Sequence, residues 1–186
     1  MPELKYVIGD ATDPITKPAV ICHVCNSGGG WGRGFVIALS KRNKTPEEAY
    51  RAWYENRHNL ESEEFKRTQD HSVLGGLNPF HPPFQLGKVQ VAPYTVDTVV
   101  ANMIAQEGIR WVGKIPPIRY DALESCLQNV YTRCRDGALT GFTVAMPRIG
   151  AVLAGGEWPR IEEIIKRTMT VDTTVYTLES QKDRWQ

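Results

Sequence analysis

The sequence has neither a long apolar run nor a large excess of charge of either sign. No apolar stretch approaches the roughly 18 residues of a membrane-spanning helix, and the N-terminus lacks the charged and apolar regions of a signal peptide. The net charge is +1, from 22 basic and 21 acidic residues, so no general basic field attracts nucleic acid or anionic lipid. We therefore expect a cytoplasmic protein that binds neither membranes nor nucleic acid, and we expect it to be a monomer.

Cysteine is scarce as well, with four residues in the chain. Cys22 and Cys25 form a C-x-x-C pair, a spacing that occurs in redox sites and zinc sites. In a strand, however, positions i and i+3 lie on opposite faces, and no second C-x-x-C or clustered histidine pair completes a metal site. The sequence predicts buried structural cysteines, no metal and no cofactor.

Glycine, in contrast, is concentrated in two turns. Five glycines lie within residues 28–34, after an apolar β-branched run and before an amphipathic segment. This order predicts a buried strand, a glycine turn and the start of a helix. Glycine lets backbone N–H groups approach a ligand closely, and a helix N-terminus favours anions. We expect a phosphorylated small molecule to lie over this turn, with a second glycine-rich turn at residues 150–156 closing over it.

Apolar periodicity predicts alternating strands and helices along the chain. The predicted strands cover residues 4–8, 19–24, 88–92, 97–105, 142–146 and 172–178, and the predicted helices begin at residues 35, 45, 120 and 159. Thr45 is the predicted N-cap of the second helix, with Pro46 at its first position and Glu48 completing a capping box.

A charged and irregular stretch, residues 61–87, follows the second helix. Residues 61–71 either extend that helix or begin a loop, and the Gly, Pro, His and Asn content of residues 72–87 predicts an irregular insert. Its Phe80 and Phe84 either cover a pocket or pack the loop down, and we favour the packing role. No linker divides the chain, so we predict a single domain over residues 1–178 and a polar C-terminal tail at residues 179–186.

The alternation of strands and helices predicts a three-layer α/β/α domain with a mixed sheet. In such sheets, ligands bind beyond the carboxyl ends of the strands. Asp10 and the two glycine turns all follow predicted strand ends, so we expect them to form one composite site. The first turn is not a Walker loop, since no Gly-Lys-Ser/Thr follows, and it does not have the spacing of a dinucleotide fingerprint.

Five motifs occur in one order along nearly the whole chain. They are Gly9-Asp-Ala-Thr12, then His23-x-Cys-Asn26 followed by Gly30-Trp-Gly-x-Gly34, Val-Ala-Asn-Met-Ile-Ala-Gln at residues 100–106, Ile-Arg-Tyr-Asp-Ala-Leu at residues 118–123, and Pro147-Arg-Ile-Gly-x-x-Leu-Ala-Gly-Gly-Glu-Trp158. Together they resemble the motifs of the macrodomain family, and the third and fourth are similar to a bacterial branch of it. The resemblance implies a three-layer α/β/α macrodomain with a mixed, mostly parallel central sheet.

The same resemblance implies that the partner is ADP-ribose or an ADP-ribosylated protein. Asp10 would accept a hydrogen bond from the adenine amino group, although aspartate is also common as an ordinary turn residue. The first glycine turn would hold the distal ribose, and residues 150–156 the diphosphate. The implied ligand-binding residues are Gly9, Asp10, Ala11, Asn26, Gly30, Trp31, Gly32, Arg33, Gly34, Phe35, Gly150, Ala151, Val152, Leu153, Ala154, Gly155 and Gly156.

The chain is similar to the branch that contains terminal ADP-ribose–glutamate hydrolases, whose best-known member uses a lysine nucleophile and an aspartate. The lysine position falls at Gln106 and the aspartate position at Ala154, and neither an amide nor a methyl group can perform that chemistry. The resemblance still implies a hydrolase that removes ADP-ribosyl groups from acidic side chains of proteins. The expected mechanism is attack by a positioned water molecule, without a covalent intermediate.

Three residues are candidates for a catalytic role: His23, Asn26 and Glu157. His23 is suited to proton transfer near neutral pH but is equally well explained as a buried strand residue. Asn26 would orient the 1'' oxygen or a water, and Glu157 is either a general base or, as we favour, the cap of the following helix. Two alternatives stay open: an ADP-ribose-1''-phosphate phosphatase that uses His23, by resemblance to another branch, and a reader that binds ADP-ribose without turnover.

Overall fold

A six-stranded sheet runs through the centre of the protein, which a computed structural model describes over residues 3–58 and 82–185. The strands are β1 (Leu4–Ile8), β2 (Ala19–Asn26), β3 (Val89–Thr95), β4 (Thr98–Gln106), β5 (Thr143–Met146) and β6 (Thr173–Thr177). The helices are α1 (Phe35–Arg42), α2 (Thr45–Glu55), α3 (Tyr120–Asp136) and α4 (Trp158–Thr168), followed by a C-terminal 3-10 helix (Glu179–Trp185). The predicted strands and helix starts agree with these bounds to within a few residues.

The strand order is β1-β6-β5-β2-β4-β3. In the described sheet β3 pairs antiparallel with β4, and the other neighbouring strands pair in parallel. The predicted mixed, mostly parallel sheet is confirmed. Because β1, β2, β4, β5 and β6 run in the same direction, their carboxyl ends meet at one edge of the sheet, where ligands bind in this class of fold.

Helices cover both faces of the sheet and complete the three predicted layers. On one face, α1 and α2 pack against a core that includes Ile21, Val100 and Ile104. On the other, α3 and α4 pack against a core that includes Val20 and Met103. Alternate residues of β2 and β4 point into the two cores, one on each face of the sheet. Both strands are therefore apolar almost throughout.

All four cysteines are buried free thiols. Cys22 belongs to the core under α3 and α4, and Cys25 to the core under α1 and α2, so β2 holds the C-x-x-C pair on opposite faces. Burial raises the pKa of both thiols and keeps them protonated and unreactive. The prediction of buried structural cysteines is confirmed. Within residues 3–58 and 82–185, no three His, Cys, Asp or Glu side chains group as a metal site would require.

The predicted cap of α2 is wrong. The helix begins at Thr45 without a side-chain capping bond, and Asn43 Oδ1 instead accepts a hydrogen bond from Thr45 N at 2.8 Å. Asn43 Nδ2 also donates to Tyr94 O at 2.7 Å, so the same amide ties the helix start to β3. The capping box of Thr45 and Glu48 does not form, because Asn43 already supplies the acceptor that the first turn needs.

The C-terminal segment also differs from the predicted polar tail. Residues 179–185 form the 3-10 helix, and Trp185 packs edge-on against Trp158 of α4 with ring centroids 6.4 Å apart. Trp185 thus connects this charged segment to the domain.

The predicted insert falls largely on residues 59–81, which lie outside the described residues, as do Phe80 and the predicted continuation over residues 61–71. Phe84 is described and packs on α2, with its ring centroid 4.9 Å from that of Trp53 and 5.8 Å from that of Tyr50. The packing role predicted for Phe84 is confirmed. Among the described helices, none combines the length and the hydropathy that a membrane span requires.

Candidate functional site

A cleft of about 1020 Å³ opens at the carboxyl edge of the sheet. Its wall is built from the segments that follow β1, β2, β4, β5 and β6. Small-molecule sites have volumes of about 300 to 1,000 Å³, so this cleft can take an extended ligand.

Most of the predicted ligand-binding residues lie on this wall. Those that line the cleft are Gly9, Asp10, Ala11, Asn26, Gly30, Trp31, Gly32, Arg33, Gly34, Phe35, Gly150, Val152, Leu153 and Ala154. Ala151, Gly155 and Gly156 are not among the lining residues. They lie within the second glycine-rich turn and shape its backbone.

Asn26, at the end of β2, fixes the shape of the glycine loop, residues 27–34. Its Oδ1 accepts hydrogen bonds from Gly28 N at 2.9 Å and Gly30 N at 3.0 Å, and its Nδ2 donates to Gly30 O at 2.7 Å. Tyr50 OH donates to the Asn26 carbonyl oxygen at 2.5 Å, so α2 supports the same loop. These contacts favour a positioning role for Asn26 over the predicted direct contact with a water.

Two glycines of this loop have backbone conformations that favour glycine. The φ angle is +74° at Gly29 and +77° at Gly34. A Cβ at Gly29 would lie 2.4 Å from Tyr54 Cδ1, and a Cβ at Gly34 would lie 2.7 Å from Leu153 Cδ1. The second distance shows that the glycine loop touches the second loop, residues 147–157. The two loops close one end of the cleft, the distal end.

A ring of polar contacts fixes the other half of the glycine loop to α1 and α2. Trp31 Nε1 donates to Ser40 Oγ at 2.8 Å, and Ser40 Oγ donates to Glu47 at 2.7 Å. Arg51 closes the ring by donating to Glu47 at 2.9 Å and to the Trp31 carbonyl oxygen at 3.3 Å. Trp31 is 6% exposed, so its indole anchors the loop. Phe35 also lines the cleft and is half-buried, so its ring is more accessible to a ligand than that of Trp31.

The second loop is closed on itself by a backbone hydrogen bond. Gly156 N donates to Gly150 O at 2.8 Å, and a Cβ at Gly156 would lie 2.6 Å from that oxygen. Only glycine therefore fits at this position without a backbone shift. At the end of the loop, Glu157 N donates to Tyr120 OH at 3.0 Å, which ties the loop to α3.

Asp10, which follows the edge strand β1, also lines the cleft. Its Oδ1 accepts hydrogen bonds from Thr12 N at 2.9 Å and Thr12 Oγ1 at 2.7 Å, and its Oδ2 lies 3.4 Å from Arg42. Partial burial raises the pKa of Asp10, but the Thr12 hydrogen bonds and the Arg42 charge outweigh it, so the pKa lies below its ordinary value. Both hydrogen bonds from Thr12 go to Oδ1, whereas Oδ2 has one long contact with Arg42 and can accept a further hydrogen bond from a ligand.

His23 lines the cleft and belongs to a buried row of polar side chains. The row crosses three strands, because His23 of β2 is in register with Asn102 of β4, which is in register with Gln90 of β3. His23 Nε2 lies 2.6 Å from Asn102 Oδ1, and Asn102 Nδ2 donates to Gln90 Oε1 and to Pro46 O at 3.0 Å each. The row ties the start of α2 to the sheet.

This arrangement determines the protonation of His23. Because Asn102 Nδ2 makes both donated bonds, Asn102 Oδ1 is an acceptor, and His23 Nε2 must carry the proton. Burial lowers the pKa of His23 to about 4, against the opposite effect of the Asn102 hydrogen bond. At neutral pH the ring is neutral and 2% exposed. These properties favour the structural role of His23 over the acid/base role that the sequence left open.

Of the three catalytic candidates, His23 and Asn26 line the cleft and Glu157 does not. Glu157 is exposed and does not line the cleft. It occupies the predicted N-cap position of α4, but its side chain makes no capping hydrogen bond. Gln106 and Ala154 do line the cleft, and Gln106 Nε2 donates to Gly108 O at 3.1 Å. Among residues 3–58 and 82–185, the one carboxylate that lines the cleft is that of Asp10, and no lysine lines it.

One wall of the cleft was missed in the sequence. Arg148, Thr177, Gln181 and Trp185 line it. The Arg148 guanidinium lies 4.7 Å from the ring centroid of Trp185 and 4.8 Å from that of Trp158, and Arg148 Nε donates to Thr177 Oγ1 at 3.3 Å. Cation–π contacts of this kind hold a guanidinium in place. The signal that could have revealed this wall is the single large aromatic residue in a charged tail.

The β4–α3 loop, residues 107–119, was missed as well. Its Ile109 and Arg110 line the cleft beside the glycine loop. Arg119 holds the base of the loop, with an ion pair to Glu107 at 2.6 Å and a hydrogen bond to Pro116 O at 2.6 Å. The loop therefore approaches the distal end from a fixed base.

The fold and the cleft together define a three-layer α/β/α domain with a ligand-sized site at the carboxyl edge of a mostly parallel sheet. A solved macrodomain protein from Streptomyces coelicolor is 37% identical in sequence, with 94% of this chain and 99% of that chain covered and a TM-score of 0.71. The chain belongs to the macrodomain family.

Two further relatives match nearly the whole chain. A protein of unknown function from Bacteroides thetaiotaomicron is 42% identical, with 95% of this chain and 99% of that chain covered and a TM-score of 0.77. Among curated proteins, the ADP-ribose 1''-phosphate phosphatase of Lodderomyces elongisporus is 22% identical over 182 residues, which are 95% of this chain and 99% of the relative. No family model matches the chain.

Proposed function

We propose that this macrodomain binds ADP-ribose in the cleft, with the adenosine at Asp10 and the distal ribose between the two loops. The observation that carries the proposal is the pair of glycine-rich loops that meet at Gly34 and Leu153 over a cleft of about 1020 Å³. Backbone N–H groups of such loops can bind a diphosphate without a lysine. The name of the Lodderomyces relative, an ADP-ribose 1''-phosphate phosphatase, supports the same class of ligand.

The proposed adenosine end has a hydrogen-bond acceptor and an aromatic ring. Asp10 Oδ2 would accept a hydrogen bond from the adenine amino group, since Oδ1 is engaged with Thr12. Trp185 lines the same cleft and is held against Arg148, so its indole offers a ring on which a base can stack.

Trp185→Ala is expected to weaken ADP-ribose binding about tenfold in calorimetry, because stacking contributes about 1–3 kcal/mol per base. The affinity for AMP should fall by the same factor, while ribose 5-phosphate, which has no base, is unaffected. Lys182→Ala, an exposed position on the same 3-10 helix, is the matched control. An unchanged AMP affinity in Trp185→Ala would contradict this placement of the adenosine.

We further propose that the domain hydrolyses ADP-ribosyl groups from acidic side chains of proteins with a water held by the ligand and the two loops. Of the described lining residues, Gln106 and Ala154 offer no nucleophile, and burial raises the pKa of the Cys25 thiol. Since the proposal puts the Asp10 carboxylate at the adenosine and His23 is only 2% exposed, a covalent intermediate at the distal ribose would lack an accessible protein nucleophile. Positioning alone can lower a barrier by about 7–11 kcal/mol when the reacting atoms are held in a near-attack geometry.

The test is incubation of a glutamate-linked ADP-ribosyl protein with excess domain in ¹⁸O-water. We expect release of ADP-ribose and no adduct trapped by borohydride. The isotope appears in the freed glutamate if water attacks the ester carbonyl, and is absent from it if water attacks C1''. ADP-ribosyl label that stays on the protein after long incubation would overturn hydrolysis, and a trapped adduct would overturn the non-covalent mechanism.

Two other functions make different predictions. A reader that binds ADP-ribose without turnover is favoured because the described residues of the cleft lining include no lysine and no carboxylate other than that of Asp10. Such a reader would leave both the glutamate-linked and the 1''-phosphate substrates intact. A phosphatase that uses His23 has support in the name of the Lodderomyces relative. Phosphate release at the wild-type rate by His23→Ala would exclude His23 from that reaction.

The cytoplasmic location, the monomeric state, the single domain over residues 1–178 and the lack of nucleic-acid and membrane binding stay predictions from the sequence. The proposal needs none of them, because the cleft is built within one chain.

A further inference from the structure

Six large apolar side chains are exposed on two loops beside the distal end of the cleft. They are Ile109, Trp111, Val112 and Ile115 of the β4–α3 loop and Val152 and Leu153 of the second loop, here called the apolar collar. Their exposed fractions run from 43% at Val152 to 72% at Val112. Single exposed apolar residues occur on any surface, but a group of this size marks a binding surface.

Contacts between loops make the apolar collar continuous with the cleft. A Cβ at Gly30 would lie 3.5 Å from Ile109 Cγ2, and a Cβ at Gly155 would lie 2.4 Å from Trp111 Cζ2. The β4–α3 loop thus touches the glycine loop on one side and the second loop on the other, and these two loops touch each other. The collar therefore borders the distal end of the cleft, and three of its members, Ile109, Val152 and Leu153, line the cleft itself.

The tip of the β4–α3 loop is a small hairpin that presents apolar side chains. Val112 N donates to Ile115 O at 3.1 Å, and Ile115 N donates to Val112 O at 3.0 Å. Gly113 lies between them with a φ of +61°, a conformation that two-residue hairpin turns require. Because the tip is preformed, little ordering of this loop opposes binding.

The collar also carries positive charge. Arg110 and Lys114 lie among its residues, Arg33 lies on the glycine loop, and all three are exposed. Residues 108–115 contain no aspartate or glutamate, and Glu107 at the loop base is paired with Arg119. This distribution complements an acidic partner.

We propose that the apolar collar docks an acidic, partly apolar segment of the protein that carries the ADP-ribosyl group. The inference rests on the proposed function, since it takes the distal ribose as the point where the carrier leaves the cleft. Free ADP-ribose or its 1''-phosphate has no surface with which to cover six large apolar side chains. Nucleic acid is bound through denser cations and stacked aromatic rings, whereas this surface has three cations and one aromatic ring.

The experiment compares three probes by calorimetry with the full chain. They are free ADP-ribose, ADP-ribose joined by a non-hydrolysable linkage to the glutamate of an acidic peptide containing Phe and Leu, and ADP-ribose joined in the same way to a single-stranded oligonucleotide. We expect the peptide conjugate to bind about tenfold more tightly than free ADP-ribose, as about 1.4 kcal/mol of added interaction would give. This advantage should shrink as ionic strength rises.

Two variants and a control locate the effect. Val112→Asp and Ile115→Asp should remove the advantage of the peptide conjugate and leave the affinity for free ADP-ribose unchanged, because neither residue lines the cleft. Val96→Asp is the matched control, a fully exposed valine in the turn between β3 and β4, at the opposite edge of the sheet.

The outcomes distinguish a failure of the docking inference from a failure of the proposed ADP-ribose binding. If wild type binds free ADP-ribose but gains nothing from the peptide, or if Val112→Asp and Ile115→Asp keep the gain, docking by the collar is overturned. A larger gain from the oligonucleotide would overturn it too and assign the surface to nucleic acid. If wild type does not bind free ADP-ribose at all, the proposed function fails, and the docking inference fails with it.

Discussion

Asn26→Ala is expected to weaken ADP-ribose binding by about 100-fold while leaving the fold intact. The substitution removes three hydrogen bonds that the amide makes to Gly28 and Gly30. At about 1 kcal/mol each, these bonds favour the shape of the glycine loop by about 3 kcal/mol, and the apparent affinity falls with the fraction of molecules in that shape. Calorimetry with ADP-ribose measures the loss, and circular dichroism checks the fold.

Two further variants test whether the loss of affinity comes from the hydrogen bonds of the Asn26 amide. Asn26→Asp keeps the acceptor for Gly28 N and Gly30 N but places an oxygen opposite Gly30 O, so we expect a smaller loss of about tenfold. Asn129→Ala is the control, because Asn129 is an exposed amide on α3 that accepts a hydrogen bond from Arg133 at 2.8 Å. An affinity close to wild type in Asn26→Ala would mean that the loop keeps its shape without the amide.

The glycine loops could be predicted from the sequence because their geometry is local. Positive φ at Gly29 and Gly34 and the close approach of Gly156 to Gly150 are conditions that glycine alone meets easily. The apolar runs of β2 and β4 likewise indicate strands buried on both faces, and this fixes the edge of the sheet at which the loops lie.

The wall around Arg148 could not be predicted in the same way. It combines residues from the end of β5, the end of β6 and the C-terminal 3-10 helix, and only tertiary packing brings Trp185 onto Arg148. The charges of residues 179–186 favour a solvated tail when they are considered alone. In the folded domain Trp185 contacts both Trp158 and Arg148, and local sequence patterns do not report which partners such a residue will find.

The buried polar row of His23, Asn102 and Gln90 is a second feature that the sequence alone could not predict, because strand register determines its members. Gln90 and Asn102 interrupt strands that are otherwise apolar, and a buried amide without a partner costs about 1–3 kcal/mol. The sequence therefore contains a signal for a network. Its membership follows from the pairing of β2 with β4 and β4 with β3, which a shift of one residue would change completely.

Acidification from pH 7 to pH 4 is expected to lower the unfolding free energy by about 3 kcal/mol through His23 alone. Burial lowers the pKa of His23 from its ordinary value of 6.5 to about 4. Between these values the unfolded chain binds a proton that the folded protein excludes, so stability falls as the pH drops from about 6.5 and levels off below about 4. Chemical denaturation at a series of pH values measures the effect.

His23→Gln isolates this contribution, because glutamine can still donate to Asn102 Oδ1 but does not titrate. Its unfolding free energy should fall about 3 kcal/mol less than that of wild type over the same pH range. The measured quantity is a change with pH, so a variant that is less stable at pH 7 still gives a valid test. If His23→Gln kept the wild-type profile, His23 would take up its proton in the folded protein near the ordinary pKa. That result would restore His23 as an acid/base candidate and strengthen the phosphatase alternative.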